Sequence, residues 1–88
     1  MHTADLLELA VATVESLGYK SRWEWLGDNG GGGCEIRGQK WLFIDLAQDP
    51  AMQLATVLEV LAHEARMRKV ALPEALERLA RTDARKAA

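Results

Sequence analysis

Cysteine and histidine are scarce in this chain of 88 residues, which contains one cysteine, Cys34, and two histidines, His2 and His63. A single thiol cannot form an internal disulfide, and the three side chains lack the spacing of a zinc site. The sequence therefore predicts that the protein binds no metal and no other cofactor.

Long apolar runs are also missing. No stretch approaches the roughly 18 apolar residues of a membrane span, and the chain does not open with the basic and then apolar segment of a secretory leader. We therefore expect a cytoplasmic protein that does not contact membranes. A chain this short forms one domain, residues 1–88, and buries only about 60 to 65% of its unfolded surface, so a second subunit would add to its stability.

The small net charge of -2 is unevenly distributed along the chain. Residues 1–65 contain 4 basic and 10 acidic side chains, whereas residues 66–88 contain 7 basic and 3 acidic ones. A basic C-terminal helix could bind nucleic acid, which we keep as an alternative function. Residues 66–88 contain no aromatic side chain on which a base could stack, so we expect nucleic-acid binding to be weak.

Apolar residues recur at spacings of three and four in three segments, as is typical of amphipathic helices. The first helix is predicted over about residues 3–17. Asp49 and Pro50 suit the cap and first position of a second helix, which should extend to about residue 69. A third helix should start at Pro73, and its tail over about 83–88 is predicted to fray.

Between the first two helices the apolar period changes to two, which predicts strands over about residues 19–26, 34–37 and 40–46. Gly38-Gln39 suits the two-residue turn of a hairpin. The opposite charges of Glu24 and Arg37 favour pairing of the first strand with the second. The predicted fold is α+β in the order α-β-β-β-α-α, with an antiparallel three-stranded meander and a single layer of helices on one sheet face.

This element order resembles the first part of the fold of type III secretion chaperones. The resemblance implies a homodimeric protein that binds other proteins. The chain lacks the further strands of that fold, and no motif residues match the family.

The stretch GDNGGGGC, residues 27–34, raises the question of a ligand-binding loop. A phosphate-binding P-loop ends in Gly-Lys-Ser/Thr and leads into a helix, whereas a strand follows here. We therefore interpret the stretch as a connector. The alternative is a ligand loop that uses exposed backbone amides, and its residues would be Asp28, Asn29, Gly30, Gly31, Gly32, Gly33 and Cys34.

Cys34, His63 and Asp45 are the residue types that a thiol hydrolase requires. A helical projection places His63 away from the apolar side of its helix, and hence away from the strand that carries Cys34. We therefore assign no catalytic residue and keep a small thiol enzyme as an alternative function. Asp45, near a strand end, is expected to accept hydrogen bonds from loop amides.

The third predicted strand is apolar on both faces, with Trp41 and Phe43 on one side and Leu42, Ile44 and Leu46 on the other. Such a strand needs cover on both faces, and a chain this short can readily cover only one. A second subunit could cover the other face.

The second predicted helix has a further stripe that contains two methionines, which adapt well to protein partners. Together these features predict a non-enzymatic interaction module that forms a homodimer or binds another protein. The predicted interaction surface consists of Trp41, Phe43, Met52, Val60, His63 and Met67.

Overall fold

The computed structural model describes residues 2–27 and 30–87, with the backbone alone for residues 82–87. Its elements, in chain order, are α1 (Thr3–Ser16), β1 (Tyr19–Glu24), β2 (Gly32–Ile36), β3 (Gln39–Asp45), α2 (Pro50–Arg68) and α3 (Glu74–Ala87). The predicted α+β class and the order α-β-β-β-α-α are confirmed. None of the helices in these residues is long and apolar enough to cross a membrane.

The start of α2 follows from its sequence. Asp49 is the N-cap, and its Oδ1 accepts a hydrogen bond of 2.9 Å from the backbone N–H of Met52. Pro50 is the first helical residue, where its missing N–H costs nothing. The predicted cap is therefore confirmed. The fraying predicted over 83–88 falls where only the backbone is described, and Ala88 lies outside the described residues.

The strand order in the sheet is β1-β3-β2. β3 is the central strand, with β1 parallel to it and β2 antiparallel to it. The predicted antiparallel meander is therefore wrong, and so is the predicted pairing of Glu24 with Arg37. Glu24 instead lies opposite Asp45 of β3. The resemblance to the secretion chaperones depended on a meander, which this sheet does not have.

The segment that joins β1 to β2 passes over the end of β3, because β3 separates the two strands. It must therefore bridge about 9.5 Å, twice the spacing of neighbouring strands, which a tight turn cannot do. Asp45, at the end of β3, is fully buried. Its carboxylate accepts hydrogen bonds from the backbone amides of Leu26 at 3.0 Å, Gly30 at 3.3 Å and Ala47 at 2.9 Å. The expected role of Asp45 as an acceptor for loop amides is confirmed.

Gly31 lies so close to β3 that no other residue fits there. A Cβ atom at this position would lie 1.8 Å from the carbonyl oxygen of Phe43. Gly30, whose amide is bound by Asp45, has a left-handed φ of 72°. The path of this segment over β3 thus explains why positions 30 and 31 are glycines, without the need for a bound ligand. Asp28 and Asn29, which we also considered as ligand-loop residues, lie outside the described residues.

The hairpin between β2 and β3 turns one residue earlier than predicted. Ile36 pairs with Gln39, so the two turn residues are Arg37 and Gly38. Both have positive φ, 51° and 80°, as a type I′ turn requires. The alternation of side chains along β3 is unaffected by this shift.

The helices cover only one face of the sheet. α1 packs beside β1, α2 packs on β2 and β3, and α3 packs against α2 and α1. The face they cover is the one with Leu42 and Ile44, which are both fully buried. Leu46, predicted to share this face, follows the end of β3 and is 37% exposed.

Replacement of Asp45 by asparagine should strongly destabilise the fold. The amide group has one acceptor oxygen instead of two, and its NH2 would face backbone N–H donors. We expect the free energy of unfolding, measured with urea, to fall by about 2 to 3 kcal/mol. The control is Asp49→Asn, which should change it by less than about 0.5 kcal/mol because asparagine caps helices equally well. Equal effects of the two substitutions would contradict the assigned role of Asp45.

Replacement of Arg37 by asparagine should stabilise the hairpin. A left-handed backbone is unfavourable for arginine by about 1 kcal/mol, whereas Asn-Gly is a preferred type I′ pair. We expect a gain of about 0.5 to 1 kcal/mol in unfolding free energy. Arg37→Lys is the matched control and should leave stability unchanged. A loss of stability in the asparagine variant would show that Arg37 makes a contact of its own.

Candidate functional site

The sheet face opposite the helices is the first candidate. Side chains alternate along each strand, so the neighbours of Leu42 and Ile44 point away from the helical layer. In the observed register Trp41 lies between Lys20 and Cys34, and Phe43 lies between Arg22 and Gly32. We call this surface the open sheet face, and its side chains are Lys20, Arg22, Glu24, Cys34, Ile36, Trp41 and Phe43.

An aromatic pair occupies the centre of the open sheet face. The rings of Trp41 and Phe43 are stacked, with centroids 6.2 Å apart and planes inclined by 25°. The Lys20 ammonium lies 5.8 Å from the Trp41 ring centroid. Both aromatic residues are partly exposed, and Ile36 beside them is 48% exposed. The face therefore presents aromatic area on the central strand and aliphatic area beside it on β2.

The two sides of the open sheet face differ in chemistry. On the β1 side, Arg22 and Glu24 form an exposed ion pair with an N–O distance of 2.7 Å. Such exposed pairs contribute little to stability. On the β2 side, Gly32 and Cys34 are small, so the residues beside the aromatic pair project only a short distance from the sheet. A partner could therefore approach closely on the β2 side.

The predicted interaction residues of α2 do not lie on this face. Met52, His63 and Met67 are exposed, but α2 packs on the opposite side of the sheet. Val60 is 8% exposed and belongs to the core, where it packs against Gly33. The predicted surface is thus divided between the open sheet face and the outer side of α2, and Val60 belongs to neither.

A second candidate is a buried ionic cluster around Glu64 of α2, which is 2% exposed. The Tyr19 hydroxyl donates a hydrogen bond of 2.6 Å to Glu64 Oε1, and Lys40 Nζ donates one of 2.8 Å to the same atom. Arg68 Nε lies 2.8 Å from Glu64 Oε2 as an ion pair that lacks hydrogen-bond alignment. The cluster links β1, β3 and α2.

Neither acid in this cluster is suited to proton transfer near pH 7. Burial raises the pKa of the Glu64 carboxyl, but hydrogen bonds from Lys40 and Tyr19 and the positive charges of Arg68 and Lys40 together hold the pKa below its ordinary value of 4.5. Burial, followed by the hydrogen bond to Glu64, raises the pKa of Tyr19 to about 12. Glu64 is therefore ionised and Tyr19 protonated throughout the neutral range, which favours a structural role.

A depression of about 430 Å³ beside this cluster is lined by both Cys34 and His63. A Cβ on Gly33 would point towards Val60 and Tyr19, so the next residue, Cys34, turns its side chain to the opposite face, with Trp41. Asp45 lies four residues beyond Trp41 along β3. The structure therefore does not assemble Cys34, His63 and Asp45 into a catalytic triad.

Within residues 2–27 and 30–87, no group of three or more His, Cys, Asp or Glu side chains could hold a metal ion. No family model, curated protein or solved structure that was compared with the chain matches it. Function must therefore be argued from the surfaces of the described residues.

Glu64 was not predicted as a site residue, although the sequence contains a signal for it. Glu64 follows Val57 by seven residues and Leu61 by three, so it lies on the apolar stripe of α2. A charged residue on such a stripe is either buried with partners or at the margin of the core. The sequence does not identify Tyr19 and Lys40 as its partners, because they come from two strands whose arrangement depends on the sheet order.

Replacement of Glu64 by glutamine should destabilise the protein by about 1 to 2 kcal/mol at pH 7, because Lys40 and Arg68, which are partly exposed to solvent, lose the buried carboxylate that pairs with them. A carboxyl whose pKa is lowered by folding stabilises the fold above its unfolded value of 4.5, and this stabilisation is lost as the pH falls. The difference between wild type and E64Q should therefore shrink below pH 4.5, as measured by urea unfolding.

Glu59→Gln is the matched control, since Glu59 is an exposed glutamate of the same helix and lines the same depression. This substitution should have almost no effect at any pH. A difference between wild type and E64Q that does not change with pH would contradict the ionic role of Glu64.

Proposed function

We propose that the protein is a non-enzymatic interaction module that associates with a second copy of itself through the open sheet face. The observation that carries the proposal is the stacked Trp41–Phe43 pair, partly exposed at the centre of a face without helices. Soluble monomers rarely expose contiguous apolar patches above a few hundred Å². Aromatic residues are enriched at protein interfaces because they bury a large area for little loss of side-chain entropy.

A second copy suits this face because the face complements itself. A two-fold axis parallel to β3 would place the β1 side of each copy over the β2 side of the other. The long side chains of Lys20 and Arg22 would then lie above the small residues Gly32 and Cys34 of the other copy. Like charges would not meet, and the aromatic pairs would stack at the centre of two sheets about 10 Å apart.

We expect the module to act in the cytoplasm, because the exposed thiol of Cys34 stays reduced there. Self-association buries the open sheet face of each copy. A different protein that binds the face would therefore compete with the dimer.

Sedimentation equilibrium over about 1 to 100 µM tests the proposal. We expect wild-type protein to approach twice the 9.7 kDa chain mass as concentration rises. Phe43→Lys should remain monomeric at all concentrations, because it places a charge at the centre of the interface. Ile36→Lys should weaken association as well, and it should fold normally because Ile36 is 48% exposed.

Met67→Lys is the matched control, since Met67 is 71% exposed but belongs to α2 on the other side of the sheet. It should dimerise like the wild type. If Met67→Lys were monomeric and Ile36→Lys still dimeric, the interface would lie on α2 and the proposal would be overturned. A wild-type monomer at every concentration would also overturn it and would favour a different protein as the partner.

A further inference from the structure

A groove of about 530 Å³ lies between the C-terminal end of α2, the connecting segment and α3. Its volume falls within the range of about 300 to 1,000 Å³ that is typical of small-molecule sites. The groove is distinct from the open sheet face, because its described residues belong to α2, α3 and the segment that joins them. Among the described residues, its apolar lining is aliphatic and consists of Ala62, Ala65, Val70, Ala71, Leu72 and Ala80.

The charged residues of the groove are mainly cationic. Arg66 and Lys69 also line it, and both are exposed. In the described part of the chain neither forms an ion pair. Arg81 and Glu77 line the groove as well, and they form an ion pair with each other. In the described residues, the groove therefore combines an aliphatic wall with two cations that form no ion pair.

This lining excludes several classes of ligand. Among the described residues that form the groove, none is aromatic, so a flat ring would find no stacking partner. None has a neutral polar side chain, so a sugar or other neutral polar ligand would leave hydrogen-bonding groups unsatisfied. A flexible aliphatic chain with one anionic end matches both the wall and the two free cations.

We propose that this groove binds a small amphiphile that has an unbranched alkyl tail and an anionic head group. The tail would lie along the alanines of α2 and α3, and the head would lie between Arg66 and Lys69. The proposal requires that affinity depends on both parts of the ligand. Each methylene added to the tail should tighten binding about fourfold until the groove is full.

Titration of ¹⁵N-labelled protein with sodium decanoate, below its micelle concentration, is the experiment that tests this proposal. We expect saturable shifts of the backbone amides at Ala65, Val70 and Leu72, with little change at Trp41. Octanoate should bind about 15-fold more weakly than decanoate, since it lacks two methylenes. Decanol should bind about tenfold more weakly because it lacks the charge, and decyltrimethylammonium more weakly still.

Variants separate the head-group site from the tail site. The double variant Arg66→Gln, Lys69→Gln should bind decanoate no better than decanol, while its affinity for decanol stays that of the wild type. Unchanged decanol binding also shows that the variant is folded. Arg37→Glu is the charge-matched control, since it changes the net charge by the same two units in the exposed hairpin turn, and it should bind decanoate normally.

Three results would overturn the proposal. The first is the absence of saturable shifts in the groove with decanoate. The second is equal affinity for decanoate and decanol in the wild type, which would show that the cations do not select the head group. The third is a loss of decanoate binding in Arg37→Glu as large as that in the double variant, which would indicate attraction by net charge alone.

Discussion

The fold depends on one buried carboxylate, that of Asp45. Its hydrogen bonds to the amides of Leu26 and Gly30 hold the loop between β1 and β2 at the end of β3. A third hydrogen bond, from the amide of Ala47, fixes the turn that follows β3. Because the loop is held above that end, β1 and β2 lie on either side of β3 rather than next to each other. The backbone of Asp45 also contributes, since its carbonyl accepts a hydrogen bond of 2.9 Å from Gln53 Nε2 of α2.

The position of β3 at the centre of the sheet gives the molecule two unlike surfaces. At one end β3 is fixed by Asp45, and at the other Lys40 binds the buried Glu64 of α2. Between these ends the alternation of side chains directs Leu42 into the helical core and Trp41 to the open sheet face. In an antiparallel meander β3 would lie at an edge, and the aromatic pair would be peripheral. The proposed self-association therefore rests on the same sheet order that Asp45 maintains.

The sequence was sufficient to predict the helices, the strands and the two faces of β3, because these depend on local periodicity and capping. Sheet order could not be predicted in this way. A cross-strand pair such as Glu24 with Arg37 contributes about 0.2 to 1 kcal/mol. Each hydrogen bond to a buried carboxylate contributes about 1.5 to 3 kcal/mol. Those of Asp45 come from Leu26 and Gly30, in the loop between β1 and β2, and from Ala47, which follows β3.

The same limit applies to the candidate site. Trp41 and Phe43 could be predicted because their placement follows from alternation along one strand. Val60 was assigned wrongly to an exposed surface. Its burial depends on Gly33 of β2, which has no side chain and so lets Val60 of α2 pack against the strand. Isotope-filtered NOE spectroscopy on a mixture of labelled and unlabelled protein tests the central claim most directly. We expect intermolecular contacts from the rings of Trp41 and Phe43. Intermolecular contacts from Met67 and none from these rings would contradict self-association through the open sheet face.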